Sequence, residues 1–227
     1  MEEVEGFGGV RINVIGGFST LPAERLSSSS KRILAYLAIK CRTVSRAHMA
    51  AEMWPELPDE AGRANLRRAL WHVPRSWIQA CNDDVALDAA TDLSAANLAV
   101  NRALSGGALS IEEIRLLSED ILPGWHEDWT IGVQDSFRLL RVQALEAACR
   151  TMVASGMSTI ASQAGAAALA AEPLCESAAE ALIDAFLAQH NRFLAVRCFR
   201  ELEKRLGSEL GVAPDPKLRA RLADLAL

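Results

Sequence analysis

The segment Glu60–Trp77 constrains the fold of this 227-residue chain more than any other stretch. Its apolar residues recur at steps of 4, 3 and 4, which is the spacing of one buried stripe on an α-helix. These stripe residues are Leu66, Leu70, Val73 and Trp77. Because successive residues turn by about 100°, Arg68 and Arg75 fall on the opposite side. Such a helix suits a nucleic-acid groove or an ordinary solvated surface, and the segment alone leaves both interpretations open.

Pro74 lies inside this predicted helix. Proline cannot donate a backbone hydrogen bond, and its ring clashes with the preceding turn. We therefore predict that the helix bends or ends near Val73.

Length and composition predict two helical domains without a membrane segment. The 227 residues exceed a typical single domain, and half of them are hydrophobic, with Ala and Leu prominent. The start, MEEVEGF, is acidic and lacks the apolar core of a secretory signal. The longest strongly apolar run, Ile33–Ile39, is too short to cross a bilayer. We expect a cytoplasmic protein with no membrane contact.

The five cysteines are an odd number, widely spaced, with no Cys-x-x-Cys pair. This spacing argues against a disulfide framework and against a zinc ribbon. It predicts reduced thiols in the protein core. The residues concerned are Cys41, Cys81, Cys149, Cys175 and Cys198.

Charge is distributed unevenly along the chain. The net charge is −5, but Val10–Ala80 contains eleven Lys/Arg and five Asp/Glu, which gives 11 − 5 = +6. From Ser105 onward there are twelve basic and seventeen acidic residues, which gives 12 − 17 = −5. The asymmetry predicts a basic module followed by an acidic one.

The first half reads as a strand, three helices and a hairpin. Val10–Ser19 alternates as a strand and reaches a Gly-Gly turn, and Ser27–Ser30 reads as a loop and N-cap. Ser45 caps a second helix that stops at Pro55, and the segment Glu60–Trp77 is the third. The segments WIQAC, NDD and VALD then form one small hairpin. This order is that of a winged helix-turn-helix, with the third helix in the DNA groove and the hairpin as the wing.

Four motifs of this half resemble the winged-helix domain of the SARP-type transcriptional activators, which is similar to the OmpR/PhoB-type DNA-binding domain. They are RINVIGGF, KRILAYLAI, TVSRAHMAAEMWPE and RANLRRALWHVPR. The sequence departs from that pattern at Pro74 and in a wing that lacks the longer Gly-Tyr hairpin.

The second half is predicted to be a helical repeat. Ala161 and Ala195 are 34 residues apart, which is the period of tetratricopeptide repeats. Thr91–Leu104 is predicted to be a hinge helix, and Gly106-Gly107 is the best boundary signal, with Ser110 as the N-cap of the helix that follows. Three blocks resemble the bacterial transcriptional activator domain of SARP-type proteins. They are ILPGWHEDWTIG, EPLCESAAEALIDAFLAQHNR and FRELEKRLGSELGVAPDPKLRARL.

The predicted fold is therefore mainly α with a small β component. We expect a flexible N-terminus at 1–9 and an OmpR/PhoB-like winged helix-turn-helix at 10–104. A TPR-like bacterial transcriptional activator domain is expected at 105–227.

Enzyme motifs are absent from the sequence: it contains no GxxxxGK[ST], GxGxxG, GxSxG or HExxH. His126-Glu127-Asp128 has the donors for a metal, but acidic residues are also favourable at a helix N-terminus, beside Trp125 and Trp129 as apolar anchors. We expect no enzyme, no metal and no cofactor.

The predicted DNA contacts fall into two groups. Candidates on or next to the third helix are Arg63, Asn65, Arg67, Arg68, His72 and Arg75. Candidates for the phosphate backbone, near helix ends, are Lys31, Arg32, Arg42 and Arg46. Candidates for interdomain or partner contact are Trp71, Trp125 and Trp129. For Trp71, packing between domains is favoured over stacking on DNA or covering its own helix.

The resemblance implies a sequence-specific activator that binds double-stranded promoter DNA as a homodimer. It also implies recruitment of RNA polymerase through the sigma factor. The alternative is a TPR-like protein-interaction module whose degenerate winged helix no longer binds DNA. The acidic net charge, the short wing and Pro74 motivate that alternative.

Overall fold

A computed structural model describes residues 9–223, which pack into two units. Most of the predicted N-terminal segment 1–9 lies outside the described residues. The first unit contains the described chain up to Ala95 together with Asp120–Gln134, and the second contains Ala96–Glu119 and the chain from Asp135 onward. The predicted domain ranges, 10–104 and 105–227, stay a prediction. The contacts of the structure place residues 96–104 in the second unit and residues 120–134 in the first.

The first unit begins with a three-stranded sheet in the order β2-β1-β6. Strand β1 (Arg11–Asn13) pairs antiparallel with β2 (Ser19–Leu21) and parallel with β6 (Ala90–Thr91). The predicted turn at Gly16-Gly17 is confirmed, because both residues adopt positive φ and reverse the chain, although β1 is shorter than the strand predicted before it. Ser19 therefore begins a second strand.

Three helices form the core of the first unit. Helix α1 (Ser28–Lys40) is buried from Ile33 to Ala38. Helices α2 (Arg46–Met53) and α3 (Asp59–Trp71) pack against it and against each other. The Ser27 and Ser45 hydroxyls accept bonds from the amides of Ser30 and His48, which confirms both predicted caps.

The predicted hairpin is present as β4 (Ile78–Cys81) and β5 (Asp84–Leu87). Its turn contains Asn82 at positive φ. A two-residue strand, β3 (Val44–Ser45), pairs with β5 and gives the order β3-β5-β4. The sequence did not indicate β3, since two residues carry no periodic pattern.

Residues 120–134 belong to the first unit through backbone and aromatic contacts. The amide of Leu122 donates to the Val14 carbonyl at 2.7 Å, and that of Gly16 donates to Asp120 at 2.8 Å. The rings of Tyr36 and Trp129 meet edge to face, with centroids 5.4 Å apart. Other members of this aromatic cluster are Phe18 and Trp125.

The second unit is a stack of helices. Part of α4 (Asp92–Leu104) leads into α5 (Ile111–Ser118), whose N-terminus is a capping box. In that box Ser110 accepts from the Glu113 amide, and the Glu113 carboxylate accepts from the Ser110 amide. The predicted Ser110 cap is confirmed.

Helical hairpins follow in the order predicted for repeats. They are built from α6 (Asp128–Ala154), α7 (Ser158–Ala171), α8 (Glu176–Ala188) and α9 (Arg192–Arg205). Helices α7 and α9 both span 14 residues and begin 192 − 158 = 34 residues apart. Ala161 and Ala195 are fully buried at equivalent positions. The structure thus has the predicted winged helix followed by a TPR-like helical domain.

The end of the described chain covers the last repeat. A π-helical turn, Leu206–Leu210, ends at Gly211 with φ 69°. Helix α10 (Pro216–Ala223) follows, and its Leu218 and Leu222 pack with Phe199 and Ile183. This helix caps the repeats and shields the apolar side of α9 from water.

The cysteines are free but not all in the core. Cys149 is buried, whereas Cys41 and Cys81 are exposed. The prediction of core thiols is therefore wrong for the latter two, which lie at a helix end and in the wing. None of the helices in residues 9–223 is long and apolar enough to cross a bilayer.

Candidate nucleic-acid interface

Helix α3 is shorter than its apolar stripe predicts. It ends at Trp71, and His72 is its C-cap. The amide of Val73 still reaches the Leu70 carbonyl at 3.1 Å, but Pro74 offers no amide to continue the helix. The expected early end is confirmed. Val73 and Trp77 remain buried, with Trp77 in a separate 3₁₀ turn at Arg75–Trp77.

One side of α3 is held firmly by α1 and α2. Leu66, Ala69 and Leu70 are buried in the core. The Ser30 hydroxyl of α1 donates to the Ala69 carbonyl at 2.9 Å in a buried site. Gly62 lies against Ala50 of α2, where an added Cβ would be 3.6 Å from the Ala50 carbonyl oxygen. These contacts fix which face of α3 points outward.

The outward face of α3 carries guanidinium groups. Arg63, Arg67 and Arg68 are exposed, and Asn65 is half-buried beside them. Within residues 9–223, none of these three arginines forms an ion pair with a carboxylate. Unpaired guanidiniums on a rigid helix are suited to bidentate hydrogen bonds with guanine or to contact with phosphate.

His72 and Arg75 are exposed but lie beyond the last residue of α3. The predicted placement of Arg75 on the helix face opposite the stripe is therefore wrong, because Pro74 redirects the chain before it. A DNA contact by either residue remains a prediction.

The four predicted phosphate contacts differ in their surroundings. Lys31 and Arg42 are exposed, and Arg46 is half-buried at the start of α2. Arg32 is engaged within the unit: its Nε lies 2.7 Å from the Glu127 carboxylate, and it donates to the Met53 carbonyl at 2.9 Å. Arg32 therefore joins α1, α2 and the 120–134 segment.

The Arg32–Glu127 ion pair engages one of the candidate metal donors in His126-Glu127-Asp128. Glu127 is paired with Arg32, and Asp128 begins α6, where its charge favours the helix N-terminus. Among residues 9–223, no cluster of three His, Cys, Asp or Glu side chains has the geometry to hold a metal ion.

The wing contributes negative charge that lies outside the window Val10–Ala80. Asp83, Asp84 and Asp88 are exposed in and after the hairpin turn. Extending the window from 10–80 to 10–91 leaves eleven basic residues and raises the acidic count to eight, so the net charge falls to 11 − 8 = +3. The excess positive charge of residues 10–91 therefore lies outside the wing.

The wing tip and the start of α2 are adjacent. The Arg46 amide donates to the Asp83 carbonyl at 2.7 Å, and β3 immediately before α2 pairs with β5. The backbone of Arg46 therefore lies next to the acidic turn.

Comparison with known proteins identifies the second half of the chain. A family model described as bacterial transcriptional activator domain matches residues 115–225. No curated protein sequence matches. Among solved structures, the chain is similar to Mycobacterium tuberculosis EmbR in complex with a low-affinity phosphopeptide, with 21% identity and a TM-score of 0.65. The match covers 96% of this chain and 65% of that chain.

The structural match at this identity shows a shared fold, and this chain spans only about two thirds of the EmbR chain. The matched domain covers the end of α5 and all of α6–α10. The chain therefore contains a bacterial transcriptional activator domain at residues 115–225, preceded by a winged helix, and it shares its fold with EmbR.

Proposed function

We propose that the chain binds double-stranded promoter DNA sequence-specifically and activates transcription. The observation that carries this proposal is the outward face of α3, where Arg63, Arg67 and Arg68 are exposed and unpaired within the described chain. A helix fixed by two others and presenting guanidiniums has the arrangement of a recognition helix in the major groove. Asn65 and His72 flank these arginines as further base contacts.

The proposed contacts divide by chemistry. Arg67 and Arg68 make base contacts, each contributing about 1–3 kcal/mol of discrimination when bidentate to guanine. Lys31, Arg42 and Arg46 contact phosphates, which position the protein without reading sequence. Arg32 supports DNA binding indirectly, by stabilising the first unit, since its guanidinium already contacts the Glu127 carboxylate and the Met53 carbonyl.

The bacterial transcriptional activator domain supports the proposed activation step. We propose that the helical unit presents the surface for RNA polymerase and its sigma factor, and that two copies bind neighbouring direct repeats. On this proposal the protein acts in the cytoplasm without a cofactor. Transcription in vitro from a promoter with two sites, compared with one site, tests the dimeric arrangement.

Selection of duplexes from a random pool by the full-length chain tests DNA recognition. We expect enrichment of a defined sequence, and we expect Arg67→Ala combined with Arg68→Ala to abolish its binding. Arg200→Ala is the matched control, since Arg200 is an exposed arginine of α9. A pool that shows no enrichment at low salt would contradict the proposal.

A second candidate is a protein-interaction module that has lost DNA binding. Two observations favour it: the acidic wing at Asp83 and Asp84, and an apolar groove of about 460 Å³ bordered by α7, α8 and α9. The floor of this groove includes Leu182 and Phe186, and its rim includes Arg197. A stable protein partner together with no protected promoter sequence would favour this candidate over the first.

A further inference from the structure

Trp71 is the most exposed tryptophan of the described chain. It is the last residue of α3, and 79% of its surface is exposed. Trp77 and Trp129 are buried, and Trp54 and Trp125 are half-buried. An indole is among the largest apolar surfaces that a side chain can offer, so leaving it in water is unfavourable.

The structure shows that Trp71 does not cover its own helix. Its neighbours one turn back, Arg67 and Arg68, are themselves exposed, and the buried stripe of α3 lies on the other side at Leu66 and Leu70. With 79% of its surface in solvent, the indole has little packing of any kind. The indole is therefore free to contact an external surface.

Trp71 shares its face with the proposed DNA-reading arginines. Residues at i, i+3 and i+4 on a helix lie on one side, so Arg67 and Arg68 are its nearest neighbours along α3. A surface that meets those guanidiniums therefore also meets the indole. At about 1.5 Å per residue, Trp71 lies about 6 Å along the axis from Arg67.

The chemistry of the major groove offers one apolar group, the C5-methyl of thymine. We propose that Trp71 reads a thymine by packing its indole against that methyl group. With α3 along the groove and bases spaced about 3.4 Å apart on a strand, this thymine lies one or two base pairs from the position read by Arg67. The inference rests on the proposed DNA binding and names a further specificity residue.

Replacement of thymine by deoxyuridine tests the contact, because it removes only the methyl group. In the duplex selected by the wild-type chain, each thymine is replaced in turn and the dissociation constant is measured. We expect one replacement to weaken wild-type binding about fourfold, the effect of losing one buried methyl. For Trp71→Ala, the same two duplexes bind equally.

Phe193→Ala is the matched control. Phe193 is an aromatic residue of α9 with 72% of its surface exposed, so its removal changes surface hydrophobicity by a similar amount. We expect this variant to keep both the affinity and the fourfold methyl effect. Iodide quenching provides a second measurement: the selected duplex shields the exposed tryptophan signal of the wild type, and Trp71→Phe lacks that shielded component.

The outcomes separate this inference from the proposed function. If the wild type binds its selected duplex but no thymine replacement matters, or Trp71→Ala keeps the methyl effect, the thymine contact is overturned while DNA binding stands. Unchanged iodide quenching in the complex also overturns it. If the wild type enriches no duplex at all, both the proposed function and this inference fail.

Discussion

Asp92 ties the start of α4 to the first strand region of the winged helix. Its carboxylate accepts hydrogen bonds from the Val14 amide at 2.9 and 3.0 Å and from the Ile15 amide at 2.9 Å. Burial raises the pKa of Asp92 above its ordinary value, although these amide donors act in the opposite direction. One side chain thereby satisfies two backbone donors that β1 leaves unpaired.

We expect Asp92→Asn to lower the free energy of unfolding by about 1–3 kcal/mol. The amide keeps one acceptor oxygen but turns N–H donors toward the Val14 and Ile15 amides, leaving a buried donor unsatisfied. The midpoint of urea unfolding measures this loss. Asp88→Asn is the control, since Asp88 is exposed four residues earlier. Equal midpoints for the two variants would contradict this role of Asp92.

The thiols of Cys149 and Cys198 in the second unit are predicted to be poor nucleophiles. Burial raises the pKa of Cys149 to about 11, and the Cys149 thiol donates to the Ala181 carbonyl at 3.3 Å. Burial likewise raises the pKa of Cys198 to about 11. The thiolate is the reactive form, so the folded protein holds little of it near neutral pH.

At pH 8 we expect thiol reagents to modify Cys41 and Cys81 rapidly and Cys149 only slowly. Because the folded pKa of Cys149 exceeds the ordinary value of 9.0, the folded state retains this proton more tightly than the unfolded state. The contribution of this thiol to folding stability is complete below about pH 9 and is lost as pH rises toward 11.

Mass spectrometry of timed alkylation measures the rates at which the three cysteines are modified. Equal rates at all three cysteines would show that Cys149 is accessible.

At the scale of elements, Gly165 shows why the first repeat lacks the aromatic residue found at Phe199 in the second. A Cβ at Gly165 would lie 3.0 Å from the Leu182 Cα and 3.1 Å from the Cys149 sulfur. Helices α7 and α8 therefore approach too closely for a side chain at this position.

We expect Gly165→Leu to destabilise the protein by several kcal/mol, since overpacking a tight helix contact forces backbone movement. Gly132→Ala in α6 is the opposite control, because nothing lies within 4 Å of its added Cβ. That change should stabilise by about 0.5–1 kcal/mol through helix propensity. Thermal melting of both variants measures the difference. A Gly165→Leu protein as stable as the wild type would contradict the close packing.

Local signals in the sequence predicted local structure well. The caps at Ser27, Ser45 and Ser110 and the helix end before Pro74 depend on residues within one turn, so the sequence contains them. Features that depend on distant residues were missed. They include strand β3, which exists only by pairing with β5, and the packing of residues 120–134 in the first unit.

The sequence predicted which residues form the candidate site, but it did not predict the positions of all of them. The helical period predicted the outward position of Arg67 and Arg68 correctly. It predicted the position of Arg75 wrongly, because α3 ends before Pro74 and Arg75 lies in a separate 3₁₀ turn. The engagement of Arg32 by Glu127 spans 95 positions in sequence, and nothing local indicates it.

For the whole molecule, the central claim is that α1–α3 form a basic reading surface in a chain whose wing and whose helical unit are both acidic. The net charge of −5 does not prevent DNA binding if the positive groups are concentrated on one face. DNA binding then depends on a few arginines. The slope of affinity against salt concentration measures how many phosphates these arginines and their neighbours neutralise.

The most direct test is the affinity of the full-length chain for its selected duplex across a series of salt concentrations. We predict affinity that falls steeply with salt and that exceeds affinity for a random duplex, with Arg67→Ala and Arg68→Ala each losing most of that preference. The control Arg200→Ala should match the wild type in affinity and slope. Equal binding of selected and random duplexes, or unchanged binding by both α3 variants, would contradict the assignment of α3 as the recognition helix.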